Sequence, residues 1–248
     1  TPSRICLFGE HQDYLGLPVI PMAISLRTRL IGKNRSDSKF IINKPDLNEE
    51  ESFSLDELDY TKPRDYFKSG VKTCLEEGLT FSHGFECELT SEIPIKSGTG
   101  SSSAVMVSWI HFLSQVADEP ADWNQKKIGE LAYKAEVLEF NEPGGMMDQY
   151  STAVGNLIYL ESEPEISIES MKSNLCSFVL GDSCEPKDTM EILLHCRDSR
   201  LAIVEKIKSQ DPNFSLHEIE LDEISQYNLN TDEAILLSGT IQNRDLLR

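Results

Sequence analysis

The chain has 248 residues and carries 23 Lys and Arg against 42 Asp and Glu, a formal charge of −19 at pH 7. That length supports one large domain or two modest ones with a full hydrophobic core. The acidic excess argues against general nucleic-acid binding, which needs cations to displace phosphate counterions.

No apolar run approaches the ~20 residues that span a bilayer, and residues 1–8 lead straight into polar ones without the pattern of a signal peptide. Six cysteines (Cys6, Cys74, Cys87, Cys176, Cys184 and Cys196) form no CxxC pair, as expected of reduced cysteines in a cytoplasmic protein. Residues 4–8 read as a strand, followed by a turn at Gly9, Glu10 and His11. Segments 19–24 and 26–31 look like two further strands, the second alternating Leu26, Thr28 and Leu30 with Arg27 and Arg29. A strand at 40–43 is expected to pair with them. The stretch 43–63, polar and broken by Pro45 and Pro63, reads as a surface loop. Phe67, Val71, Cys74 and Leu75 share a helical face that Gly78 ends. Phe85, Cys87 and Leu89 then alternate with Glu86, Glu88 and Thr90, as in a half-buried strand.

Val105, Trp109, Phe112 and Val116 repeat at helical spacing, widened by Met106, Ile110 and Leu113. Ile128, Leu131, Ala132, Ala135 and Leu138 mark a second helix, and 146–154 a third. Short strands at 157–160 and 178–180 and a helix over 190–207 complete the pattern, while the acidic runs 46–59, 161–169 and 218–223 read as solvated surface. Strands precede helices rather than alternating strictly with them, so the class is α+β.

Gly98-Thr99-Gly100-Ser101-Ser102-Ser103 opens the Val105 helix. Glycines let backbone approach a ligand. A helix N-terminus offers unpaired N–H groups and roughly half a positive charge. The combination suits a phosphate chain, with Lys96 just upstream as a cation, although a serine-capped helix after a glycine linker would use the same residues. The loop is neither a GxxxxGK[ST] phosphate loop nor a GxSxG nucleophile elbow. It also shares GTGS with tubulin-like phosphate loops, but the alternating strand–helix pattern of that fold is missing.

Phosphoryl transfer needs a phosphate cradle, a magnesium ligand set, a group to position the acceptor, and cationic charge stabilisation. Glu136 lies at the edge of its helix's apolar stripe, where its carboxylate could face a cleft or simply water. Asp148 follows Pro143-Gly144-Gly145-Met146-Met147 and suits either a partly desolvated site or a helix cap. Glu10, His11, Gln12 and Asp13 put four hydrogen-bonding side chains in a row, as polyol recognition requires and as a polar surface turn also would. His83, His111, His195 and His217 form no metal-binding HExxH spacing.

Three segments, taken together, resemble the GHMP kinases and within them the galactokinases. They are 2–24, including Arg4 and the Gly9-Glu10-His11-Gln12-Asp13-Tyr14 turn; 93–104, similar to IPxGSGLGSSAA; and 136–149, running from a glutamate to PxGxMDQ. The resemblance covers about residues 1–160. It implies the GHMP kinase fold: residues 1–177 form a domain like ribosomal protein S5 domain 2, and 178–248 a partial ferredoxin-like domain. It implies transfer of the γ-phosphoryl group of Mg²⁺-bound ATP to the anomeric hydroxyl of a hexose, galactose foremost. Asp148 would be the base or positioning carboxylate, and Arg4 would stabilise the transferring charge beside it. Ser102 and Glu136 would bind Mg²⁺, while Lys96, Ser97, Gly98, Thr99, Gly100, Ser101, Ser102 and Ser103 would surround the phosphates. Glu10, His11, Asp13 and Gly145 would hold the sugar. The partners implied are a sugar and ATP, with neither nucleic acid nor membrane.

Lys96 stands where the family usually has glycine, Thr99 where leucine is usual and Ser103 where alanine is common; none of these removes a donor. Residues 181–189 replace a tyrosine-containing stretch of the sugar site, which leaves the sugar open and makes Asp182 and Lys187 candidate contacts. The family's third glycine-rich motif, GAGxGG, is absent, so the resemblance implies a C-terminal domain cut short and a piece that is inactive as it stands. Rival readings are a kinase for a uronic acid, a pentose or a heptose, and a catalytically silent sugar sensor. Isoprenoid alcohols fit poorly, because the 10–13 row is polar throughout.

Overall fold

The computed structural model describes residues 1–181 and 189–247. Its strands are β1 (Pro2–Phe8), β2 (Ile20–Asn34), β3 (Lys39–Lys44), β4 (Glu49–Ser54), β5 (Phe85–Ser91), β6 (Leu157–Glu161) and β7 (Ser167–Met171). Its helices are α1 (Tyr66–Glu76), α2 (Ser101–Val116), α3 (Gln125–Tyr133), α4 (Met147–Val154), α5 (Thr189–Lys208) and α6 (Thr231–Asp245). The strands form one mixed sheet in the order β4-β3-β5-β2-β6-β7, with β1 paired to the first half of β2.

The two strands expected at 19–24 and 26–31 are one. Residues 20–27 of β2 pair with β1 and residues 28–34 with β5, so the chain runs straight through Ser25 while its partner changes. The expected loop 43–63 contains β4, which pairs with β3 in a hairpin turned by the Pro45–Leu47 3₁₀ segment and by Asn48 at φ 53°. Glu49, Glu50 and Glu51 open this edge strand, and only Phe53 reaches the core, so no apolar alternation announces it. Residues 178–180 form no strand. Phe178, Val179 and Leu180 are exposed and pair with no other strand, and a strand without a ladder partner has nothing to hold it. Neither β7 nor α6 was expected.

The main core lies between the β3–β4–β5 end of the sheet and α1, α2 and α3. Phe40, Ile42, Phe85 and Cys87 meet Val71, Trp109, Ile110 and Leu131, all buried. Phe40 stacks on Phe85, with ring centroids 4.2 Å apart. A smaller cluster packs α4 on β6 through Met147, Tyr150, Ile158 and Leu160. A third joins α5 and α6 to Leu15 and Leu17, just after the 10–13 turn. After α3 the helix widens into a π-helical turn, Lys134–Leu138, which rotates Leu138 off the apolar stripe and leaves it 57% exposed. Among the described residues no helix is long and apolar enough to cross a membrane. The described cysteines Cys6, Cys74, Cys87, Cys176 and Cys196 are unpaired, and Cys184 lies outside the described residues.

Candidate active site

The glycine–serine loop connects β5 to α2. Left-handed φ recurs at Lys96 (59°), Gly98 (75°) and Gly100 (73°), every second residue. Such alternation turns successive N–H groups toward one concave side, an arrangement that attracts anions. Gly100 is the N-cap of α2 and no side chain caps that end, so the N–H groups of its first turn stay available. A Cβ at Gly100 would stand 3.3 Å from Arg4 Cγ, so backbone and guanidinium approach here as closely as they do because the residue is glycine.

β1 holds this loop from below. Ser3 Oγ donates to Thr99 O at 2.5 Å, and the Arg4 backbone N–H donates to the same oxygen at 3.3 Å. The Arg4 guanidinium donates through Nη1 to Gly98 O at 2.6 Å. Its other edge is bidentate on Asp148, through Nε to Oδ1 at 2.8 Å and through Nη2 to Oδ2. Arg4 is buried, whereas Asp148, in the first turn of α4, keeps its carboxylate partly open to the cleft.

Asp13 lies beside this pair. Its carboxylate accepts from the Met147 backbone N–H at 2.9 Å, capping α4 from a distant part of the chain. A Cβ on Gly145 would come within 2.0 Å of Asp13 Oδ2, so the glycine is what lets the two meet. Burial drives the Asp13 carboxyl up to about 6, with Asp148 and Glu10 pushing the same way and the Met147 N–H opposing. Glu136 sits in the π-helical turn, 3% exposed, and burial drives its carboxyl to about 7 against hydrogen bonds from Ser102, Gln149 and Ser103.

Of the residues named from sequence, Arg4, Glu10, His11, Asp13, residues 96–103, Glu136, Gly145 and Asp148 line one cleft of about 530 Å³. Within it their environments differ. Ser97 Oγ donates to Pro94 O at 2.8 Å and lies 2.6 Å from Thr99 Oγ1, so these two hydroxyls brace the loop itself. Gln12 is not a cleft group: it is 1% exposed and donates to Pro18 O at 3.1 Å. Asp182 and Lys187 lie outside the described residues.

Two features escaped the sequence reading. Leu47, Phe67, Leu89, Pro94 and Ile95 build an apolar wall beyond the loop, contributed by four separate stretches whose meeting no local pattern announces. Gln149, 2% exposed, donates to Glu136 Oε2 at 2.8 Å and to Ser103 Oγ at 3.2 Å; its signal was its place directly after Asp148.

Among the described residues no cluster of three or more His, Cys, Asp or Glu could hold a metal unaided. Ser102 and Glu136, both lining the cleft and hydrogen-bonded to each other, are hard oxygen donors at the loop, with Gln149 beside them. Mg²⁺ is usually held by one or two protein oxygens together with phosphates and water, so the donor set fits a nucleotide-borne cation.

Residues 65–156 match the GHMP kinases N terminal domain and residues 1–34 the galactokinase galactose-binding signature. The chain is 33% identical over 169 residues to the galactokinase of Pyrococcus furiosus, covering 66% of this chain and 46% of that protein. It is 28% identical over 217 residues to the mevalonate kinase of Thermococcus gammatolerans, covering 84% of this chain and 64% of that protein. The structure of Lactococcus lactis galactokinase complexed with galactose superposes with a TM-score of 0.73 at 22% identity, over 98% of this chain and 65% of the other. The chain thus spans less than two thirds of the length of these relatives. Residues 65–156 thus carry the GHMP kinase N-terminal domain, with the galactokinase galactose-binding signature ahead of it.

Proposed function

We propose that the cleft is the phosphoryl-transfer site of an ATP-dependent sugar kinase, acting on the anomeric hydroxyl of a hexose, galactose foremost. On this reading residues 1–177 form the domain that binds sugar and phosphates, and 178–248 belong to the second domain. The observation that carries the reading is the bidentate Arg4–Asp148 pair directly beneath the anion-binding loop, with Asp13 and Gly145 on its other side.

The nucleotide's phosphates lie along the free N–H groups at the start of α2, where the helix end and Lys96 favour negative charge. Its base lies against the apolar wall of Leu47, Phe67, Leu89 and Ile95. When bound, Mg²⁺, held by Ser102 and Glu136, neutralises charge on the phosphates. Asp13, Glu10 and His11 accept from and donate to the acceptor's hydroxyls, orienting one of them toward Asp148. Asp148 takes that hydroxyl's proton as its oxygen bonds to the γ-phosphorus, and the bond from that phosphorus to the bridging oxygen breaks to leave ADP. Arg4 stands against the equatorial oxygens, where charge accumulates.

Mevalonate kinases match at similar identity, which favours as second reading an alcohol that carries a carboxylate. Asp13 and Glu10 at the acceptor end oppose an anionic acceptor, and the galactokinase signature over 1–34 supports the polyol. The test uses the complete protein in a turnover assay with hexoses, uronic acids, pentoses, heptoses and mevalonate. A hexose is expected to give the highest kcat/KM, and Asp148→Asn is expected to lower kcat by about a thousandfold or more. Near-full turnover by Asp148→Asn removes the base assignment. Sugar binding without transfer by the complete protein supports a sensor instead.

A further inference from the structure

Gln149 ties together the two sides of the cleft's buried carboxylate. Its amide nitrogen has two N–H donors, and both are engaged, one by Glu136 Oε2 at 2.8 Å and one by Ser103 Oγ at 3.2 Å. With Glu136 ionised, as it must be to hold a cation, the reverse setting of the amide would face its carbonyl to the carboxylate, acceptor against acceptor, which fixes the orientation in that state. That orientation leaves Gln149 Oε1 fully buried with no hydrogen-bond partner among the described residues. An unpaired buried carbonyl is destabilising, and methionine, of similar length, would fill the same space without it. Packing alone therefore does not explain the amide.

We propose that Gln149 is a positioning residue for the cation that the nucleotide brings. Its NH₂ group sets Glu136 and Ser103 side by side before the nucleotide arrives. Mg²⁺ keeps several of its waters when protein-bound, and groups that hold ligands from behind change metal affinity about 10–100-fold. The inference rests on the nucleotide reading above. It adds a role for a residue that touches neither phosphate nor acceptor.

The test measures binding of a fluorescent ATP analogue to the full chain, with Mg²⁺ and with EDTA. For Gln149→Met, the ratio of the Kd in EDTA to the Kd in Mg²⁺ is expected to fall about tenfold or more. The Kd in EDTA and the melting temperature should stay close to those of the parent. Because Gln149 acts through Glu136, Gln149→Met should add little in a Glu136→Ala background. An unchanged ratio, or a full effect in that background, overturns the proposal. Should Gln149→Met fail to fold, Gln149→Leu, which removes the donor without adding charge, is expected to lower the ratio likewise, and an unchanged ratio overturns the proposal equally. A parent chain whose analogue binding ignores Mg²⁺ overturns the nucleotide reading itself, which separates the two failures.

Discussion

Asp13 and Glu136 are carboxyls that the fold pushes upward, to about 6 and about 7, chiefly by burial. A carboxyl raised on folding binds more protons folded than unfolded, so stability falls as pH climbs from the unfolded value through the folded one. The windows run from 3.8 to about 6 for Asp13 and from 4.5 to about 7 for Glu136. Net negative charge works in the same direction, because self-repulsion grows as carboxyls ionise. The ligand-free chain is therefore expected to melt several degrees lower at pH 7.5 than at pH 5. Glu136→Gln should flatten the upper part of that decline and stabilise the ligand-free protein at pH 7.5 by on the order of 3 kcal/mol. A thermal-melt series over pH checks both; a variant curve parallel to the parent's contradicts the assignment. Sequence named both carboxyls, but their protonation belongs to the folded site. Glu136 looked like an ordinary helix glutamate until the π-helical turn and the core around it took it out of water.

The start of α2 was legible because everything it needs is local: glycines for left-handed backbone, serines at the helix end, and an apolar stripe behind them. How α2 packs was partly legible. Trp109 is fully buried and donates from Nε1 to Phe67 O at 3.0 Å, which fixes α2 against α1. Gly70 on α1 makes room for it: a Cβ there would lie 2.4 Å from Trp109 Cδ1. Helix propensity alone would make Gly70→Ala favourable by about 1 kcal/mol. Overpacking against a rigid indole costs about 1–3 kcal/mol, so the expected outcome is a lower denaturation midpoint. An unchanged or higher midpoint shows that the two helices can separate at little cost. β4 was illegible for the opposite reason. It is an edge strand held by backbone pairing to β3, with Lys44 Nζ 2.6 Å from Glu51 and 2.7 Å from Glu49, and three glutamates in a row carry no period-two signal.

The acceptor end of the cleft depends on residues from the far end of the chain. Leu15 and Leu17 are buried against Ile203, Ile207, Leu237 and Ile241 of α5 and α6. Asn243 Nδ2 donates to Glu10 O at 3.4 Å. The loop that presents Glu10, His11 and Asp13 is thus backed by a helical layer that sequence assigned to another domain. Ile207→Ala is expected to cost about 2–5 kcal/mol by leaving a cavity. It should also speed amide exchange at Leu15 and Leu17, whose N–H groups bond to Gln12 O, more than at the α2 amides. Uniform acceleration across both regions shows instead that the helical layer and the sheet unfold as one unit.

Sequence by itself determined the anion-binding loop, the helical stripes, the half-buried strand at 85–89 and the identity of the polar and acidic candidates, because each is written in spacings of a few residues. Only the tertiary structure decided that Arg4 meets Asp148 across 144 residues of chain, that Gln12 turns into the core while Asp13 turns to the cleft, and that Gln149 braces Glu136. Those outcomes depend on strand pairing and on which surfaces burial removes from water, and both are set by contacts between segments far apart in the chain.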